Sequence, residues 1–221
     1  MKKAIVFCLI MTLLCTVIVG SMAETWPTRD LDGTPVTIKT FPRDNDNSMR
    51  RQAYLGPQKN KYVGANSYRP RMVTSATAVL REGDYVLVDL LYHEHEKRFV
   101  YFSVDSLQEV PYSLSLETLE LHPATMSRSV IALYGPGTDY EEVVIRVQSK
   151  YANWSWEQLE EKFSYDWEKI DKALRKNKYT VVVEAGRTVN ALFEYNGWVF
   201  AEFDTDVGLA RAWLPADAVQ P

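Results

Sequence analysis

The sequence predicts a mainly β protein of two small barrels, the second carrying an inserted α-helix over about 155–176. Three observations lead there: short segments rich in Val, Tyr, Phe and Trp bounded by turn residues, a repeat of those segments in the same order, and one amphipathic stretch. Ala53-Tyr54-Leu55-Gly56-Pro57 with Tyr62 is answered by Ala132-Leu133-Tyr134-Gly135-Pro136 with Tyr140. Each copy then predicts a hairpin. Thr77 to Leu80, Gly83 and Tyr85 to Leu91 parallel Asn190 to Phe193, Gly197 and Trp198 to Phe203. Each also closes alike, since Phe99 to Gln108 aligns without gaps to Arg211 to Gln220. The turns Arg81-Glu82-Gly83-Asp84 and Tyr195-Asn196-Gly197 suit tight reversals, Asn-Gly above all.

The expected helix starts at Ser155, an N-cap whose capping box is completed by Gln158. Trp156, Leu159, Phe163, Trp167, Ile170 and Leu174 recur at three or four residues, giving one apolar face. Lys172, Arg175, Lys176 and Lys178 crowd the far end, where cations complement the helix dipole. A strand over Tyr179 to Glu184 should follow. Packing of the stripe on the second barrel is one reading; a free partner-binding face is the other.

The domain expectation is therefore a signal peptide over 1–23, a leader over 24–52, a first module over 53–110, a linker over 111–130 and a second module over 131–221. The leader is polar and Pro-punctuated at Trp26-Pro27, Thr34-Pro35 and Phe41-Pro42, then charged from Arg43 to Arg51. It reads as mobile, with one short strand at Val36 to Thr40. In the linker, Leu114, Leu116, Leu119 and Leu121 alternate with polar residues, so the segment could pair with a barrel edge or remain plain linker.

Residues 1–23 have the pattern of a cleavable signal peptide: Lys2 and Lys3, an apolar run from Ala4 to Gly20, then Ser21-Met22-Ala23 with small residues at the cleavage positions. The run is short and badly flanked for a membrane span of about 20 apolar residues. Cys15 follows Leu13-Leu14 rather than a small residue, which disfavours lipidation. The chain has two cysteines, Cys8 and Cys15, both inside this segment, so the expected mature protein has neither disulfide nor thiolate ligand. Cleavage would leave 23 basic against 29 acidic residues, a net charge of −6. Such a mildly acidic chain carries no overall electrostatic footprint for nucleic acid or membrane. The expected location is extracellular.

The turn Gly135-Pro136-Gly137-Thr138-Asp139-Tyr140, together with the Gly-Trp hairpin and the closing strand Arg98-Phe99-Val100-Tyr101, resembles the bacterial SH3-like (SH3b-type) domains of secreted proteins and cell-wall hydrolases. Gly56-Pro57 to Tyr62 fits that turn loosely, and Ala210-Arg211-Ala212-Trp213 departs from the closing pattern. The resemblance covers about 53–108 and 131–220. It implies two tandem SH3-like barrels and a role in binding cell-wall peptide or glycan. The long helix departs from the family and puts a standard groove in the second copy in doubt.

Ligands of that kind want aromatic faces and a few placed hydrogen bonds. Tyr54, Tyr62 and Tyr101 in the first copy and Tyr134, Tyr140 and Trp213 in the second could converge in that way; the competing reading makes them barrel core. His93 and His95, two apart in Tyr92-His93-Glu94-His95-Glu96-Lys97, share a strand face and are weak metal candidates; a hairpin tip rich in charge is the ordinary reading. The third histidine, His122, sits beside Pro123. No Gly-x-Ser-x-Gly elbow, phosphate-binding Gly-rich loop or mature cysteine is present, and acid pairs such as Asp204/Asp206 and Glu160/Glu161 look like solvated surface. The expectation is a non-catalytic, cofactor-free binding protein for a wall polymer or, alternatively, for another secreted or surface protein through the inserted helix. Exposure of Trp156, Phe163 and Trp167 would favour the alternative; their burial would favour a structural insertion.

Overall fold

The computed structural model describes residues 26–40, 50–147, 149–151, 153–175 and 177–221. The expected signal peptide, Phe41-Pro42, most of the charged run from Arg43, and Lys176 lie outside them. No helix among the described residues is long and apolar enough to cross a membrane.

The chain is mainly β. A six-stranded antiparallel sheet holds β1 (Thr34–Pro35), β2 (Arg51–Tyr54), β3 (Gly64–Tyr68), β4 (Val73–Glu82), β5 (Tyr85–Tyr92) and β6 (Glu96–Ser103), in the order β1-β4-β5-β6-β2-β3. From the second copy come β7 (His122–Met126), β8 (Val130–Ile131) and β9 (Val144–Val147). Two helices follow, α1 (Trp156–Phe163) and α2 (Trp167–Leu174). Then come β10 (Asn177–Thr180), β11 (Val182–Val183), β12 (Thr188–Tyr195), β13 (Trp198–Thr205), β14 (Gly208–Pro215) and β15 (Val219–Gln220). Five of these strands form the second sheet, in the order β14-β13-β12-β7-β15, while β9/β10 and β8/β11 are two-stranded ribbons.

The repeat is structural as well as sequential. β4/β5 turn through Gly83-Asp84 and β12/β13 through Asn196-Gly197, with positive φ at Gly83, Asn196 and Gly197. β6 and β14 both run into a 3₁₀ turn, Val104–Ser106 and Ala216–Ala218. The two Gly-Pro turns close in the same way. A Cβ on Gly56 would stand 2.0 Å from the Tyr62 ring, and one on Gly135 would stand 2.0 Å from the Tyr140 ring. In each turn only glycine lets the tyrosine lie flat on the backbone.

The bounds of the leader and linker are corrected, while the expected pairing of the linker with a strand edge is seen at Leu116, which bridges Arg81 of β4. Thr34-Pro35-Val36-Thr37-Ile38 and His122-Pro123-Ala124-Thr125-Met126 occupy matching places. Thr34 and Pro35 pair with Ala78 and Thr77 of β4; His122 and Pro123 pair with Ala191 and Asn190 of β12. Ile38 bridges Leu107, as Met126 pairs with Val219. The leader strand is thus at Thr34–Pro35 rather than Val36 to Thr40, and each copy begins with a strand that the sequence reading left outside it. Upstream of each strand the chain crosses to the other copy: Thr28 bridges Glu194 of β12, and Leu116 bridges Arg81 of β4. Midway, Arg29 and Glu117 form a bidentate ion pair with both contacts at 2.6 Å.

The single helix over 155–176 is also corrected. Ser155 caps α1 with the expected capping box, its hydroxyl accepting from the Gln158 N–H. The helix then stops, because Ser164 and Tyr165 both take left-handed conformations (φ 51° and 60°) and Asp166 caps a new helix by accepting from the Lys169 N–H. The reversal packs α1 against α2 with Leu159 and Ile170 buried, and neither residue belongs to the apolar cores of the sheets.

Candidate functional site

The two sheets meet across a reciprocal seam. An apolar cluster gathers Val79, Leu80, Leu87, Phe99 and Tyr101 from the first copy and Leu192, Phe193, Phe200 and Trp213 from the second. The Arg211 N–H donates to the Leu55 carbonyl at 2.6 Å; at the matching place the Phe99 N–H donates to the Tyr134 carbonyl at 2.8 Å. The same patch on each copy therefore receives the other, which is the logic of an isologous dimer written into one chain.

The seam's two halves differ chemically. In one, Arg211 lies buried between Glu82 (2.6 Å) and Glu202 (2.9 Å). The Tyr101 hydroxyl donates to Glu82 at 2.6 Å, and the Tyr62 hydroxyl donates to Glu202. Burial and the carboxylate neighbours push both phenols above their ordinary range. In the other half the position matching Arg211 is Phe99, which packs edge-on to Trp213 (5.6 Å between ring centroids) and beside Tyr140 (5.6 Å). Asp89, the counterpart of Glu202, has no buried guanidinium. Burial raises its carboxyl to about 6, against the opposing pull of Lys97 and Tyr140.

That difference makes a prediction. The folded state binds the Asp89 proton more tightly than the unfolded chain does, so ionised Asp89 costs nothing below its ordinary value of 3.8 and its full penalty above about 6. Asp89→Asn should therefore leave stability nearly unchanged at pH 3.5 and raise it at pH 8. The expected gain is about 1–2 kcal/mol, reduced from the full shift because the side chain is only partly buried. Urea unfolding at the two pH values checks this.

The predicted ligand residues take the following places. Tyr62, Tyr101, Tyr134 and Trp213 are buried, Tyr140 half-buried against Phe99, and Tyr54 half-buried edge-on to Tyr85 at 5.9 Å. Tyr62, Tyr101, Tyr140 and Trp213 come together along the seam, whereas Tyr54 and Tyr134 pack within the first and second copies. His93 and His95 sit at the β5/β6 tip, with His93 at φ 52° and ring centroids 6.5 Å apart. Among the described residues no three His, Cys, Asp or Glu side chains converge on a metal position.

The exposed aromatics are elsewhere. Trp156 and Trp167 are 56% and 60% exposed, with ring centroids 5.6 Å apart, and Trp154, Tyr165 and Tyr179 are exposed nearby in sequence. Phe163 is half-buried against Tyr151 at 5.3 Å. The helix pair is spliced between β9 and β10, whose register runs from Val147↔Asn177 to Val144↔Thr180. It is tied down where the Ser149 hydroxyl donates to the Ala173 carbonyl. The periodic stripe was legible in the sequence. Which of its members turn outward was not, because the break at Ser164-Tyr165 redirects the second half.

No family model matches this chain, and no curated protein matches it. One solved structure retrieved by shape is titled "Structure of NlpC1 from Trichomonas vaginalis"; it is 12% identical, with a TM-score of 0.25 over 91% of this chain and 51% of that one. This chain spans about half the length of that protein.

Proposed function

We propose that the chain is a secreted, non-catalytic binding protein of two SH3-like modules, and that it docks another secreted or envelope-displayed protein through the helix pair α1/α2. The supporting observation is the Trp156/Trp167 pair, two large rings more than half exposed on an element that neither sheet core needs. Tryptophan dominates the energetic centres of protein interfaces, because it buries a large area at little conformational cost. Fused modules with a buried seam supply a stable base for that surface, and the resemblance to SH3b-type domains supports an envelope setting.

The test compares residues 24–221 with the double variant Trp156→Ala/Trp167→Ala, using immobilised protein to capture partners from the culture supernatant and, separately, purified insoluble peptidoglycan. The expected result is a defined protein partner held by the wild type and lost by the variant, with unfolding free energies that agree within about 0.5 kcal/mol because both rings are exposed. Retention on peptidoglycan that ignores both tryptophans, with no protein captured, would overturn the reading.

A further inference from the structure

A second surface, independent of the helix pair, lies where the first module's Gly-Pro turn meets the β9/β10 ribbon. A cleft of about 460 Å³ runs along Gln52, Lys59, Lys61, Asn66 and Ser67 to Arg146. A smaller one of about 210 Å³ continues from Asn66 and Arg146 to Lys178. The two share Ala65, Asn66 and Arg146, so they form one groove.

Its charge is unusual for an acidic chain. Arg146 and Lys178 are direct cross-strand partners in the ribbon, so their side chains emerge on the same face. Like charges so placed repel one another, which costs stability unless an anion lies between them. Neither has an ion-pair partner among the described residues, and of the smaller cleft's two acids one is neutralised by an arginine while the other keeps its charge at that end of the groove. Glu141 accepts from Arg98, which also pairs with Glu96, and Glu142 accepts from the Thr180 hydroxyl at 3.3 Å. The larger cleft is lined by Lys59, Lys61 and Arg146 and by no carboxylate. The Asn66 side-chain oxygen Oδ1 accepts from the Ser67 N–H at 2.9 Å, which leaves the side-chain Nδ2 as a donor.

We propose that this groove binds an extended chain of repeating oxyanions, with Arg146 at its centre, Lys178 on one side and Lys59 and Lys61 on the other. Spaced cations and amide donors along an open channel suit a polyanion rather than one compact ion. Single-stranded nucleic acid wants exposed aromatic faces for its bases as well. The groove's two aromatics, Tyr62 and Tyr134, are buried.

The experiment titrates residues 24–221 with fluorescent inorganic polyphosphate, poly-L-glutamate and oligo-deoxythymidine at low and moderate salt. Tight binding of either of the first two, weakening as salt rises, is expected; the stronger of them identifies the oxyanion as phosphate or carboxylate. Arg146→Glu should lower that affinity about tenfold or more, the loss of one charge-assisted contact together with added repulsion. The same change turns the 146/178 pair from like to opposite charge, so its thermal midpoint should stay level or rise. A purely structural arginine would do the reverse. Trp156→Ala/Trp167→Ala should leave polyanion binding unchanged, which separates this site from the docking surface. Absence of binding to either polyanion, binding that survives Arg146→Glu, or equal binding of oligo-deoxythymidine would overturn the proposal.

Discussion

Arg211→Ala is expected to destabilise the protein by about 3–5 kcal/mol, because it strands two carboxylates inside the seam. The Glu82 and Glu202 side chains are 10% and 4% exposed, and Arg211 is the cation held against both. The Tyr101 and Tyr62 hydroxyls would still donate one hydrogen bond each, but neutral donors do not offset the loss of a guanidinium that also lies 5.3 Å over the Tyr62 ring. The cost belongs to the unpaired charges rather than to the arginine itself. The triple variant Glu82→Gln/Glu202→Gln/Arg211→Met should therefore recover at least half of the loss. Equilibrium unfolding in urea at pH 7 measures both. A loss below about 1 kcal/mol for Arg211→Ala would mean that water reaches the site and the network is not a sealed one.

Trp213→Ala should cost a similar amount, about 3–5 kcal/mol, by a different mechanism. The indole is fully buried and meets the rings of Phe99 at 5.6 Å, Phe193 at 5.6 Å and Phe200 at 5.0 Å. Removing it leaves a cavity between the sheets that rigidly paired strands cannot close. Trp213→Phe should recover most of the loss by refilling that space. The contrast with Trp156 and Trp167 is the informative part. Three tryptophans of one type and one short chain should divide into a seam residue whose loss unfolds the protein and two whose loss leaves the fold intact. Thermal denaturation of the three alanine variants side by side shows that division; a large stability loss at Trp156 or Trp167 would make the helix pair structural.

Residue patterns alone carried the β-rich class, the duplication, both hairpin turns, the capping box at Ser155 and the apolar stripe after it. All of these depend on short-range rules: alternation, turn chemistry and helical spacing act within a few residues. The matched strands Thr34 to Ile38 and His122 to Met126 were also present as a repeated Pro-x-Thr-apolar pattern. The sequence places the first of them two residues late, at Val36 to Thr40, and does not mark the second, because five residues, one of them proline, make a weak strand signal until a sheet edge receives them. The helix break was similarly legible at Asp166, an N-cap residue that the unbroken three-and-four spacing concealed.

Tertiary structure decided the rest. An aromatic in a small β module reads the same whether it lines a groove, fills a barrel or meets a second module, since burial is set by what packs against it. Tyr62, Tyr101 and Trp213 became seam residues only because the two copies face each other, and Arg211 became a buried cation only because Glu82 and Glu202 arrive from different copies. Arg146 and Lys178 are 32 positions apart, and only the ribbon register sets them opposite one another. Local composition thus determined which elements form. Long-range pairing, which no local pattern encodes, determined which side chains they bury and which they offer.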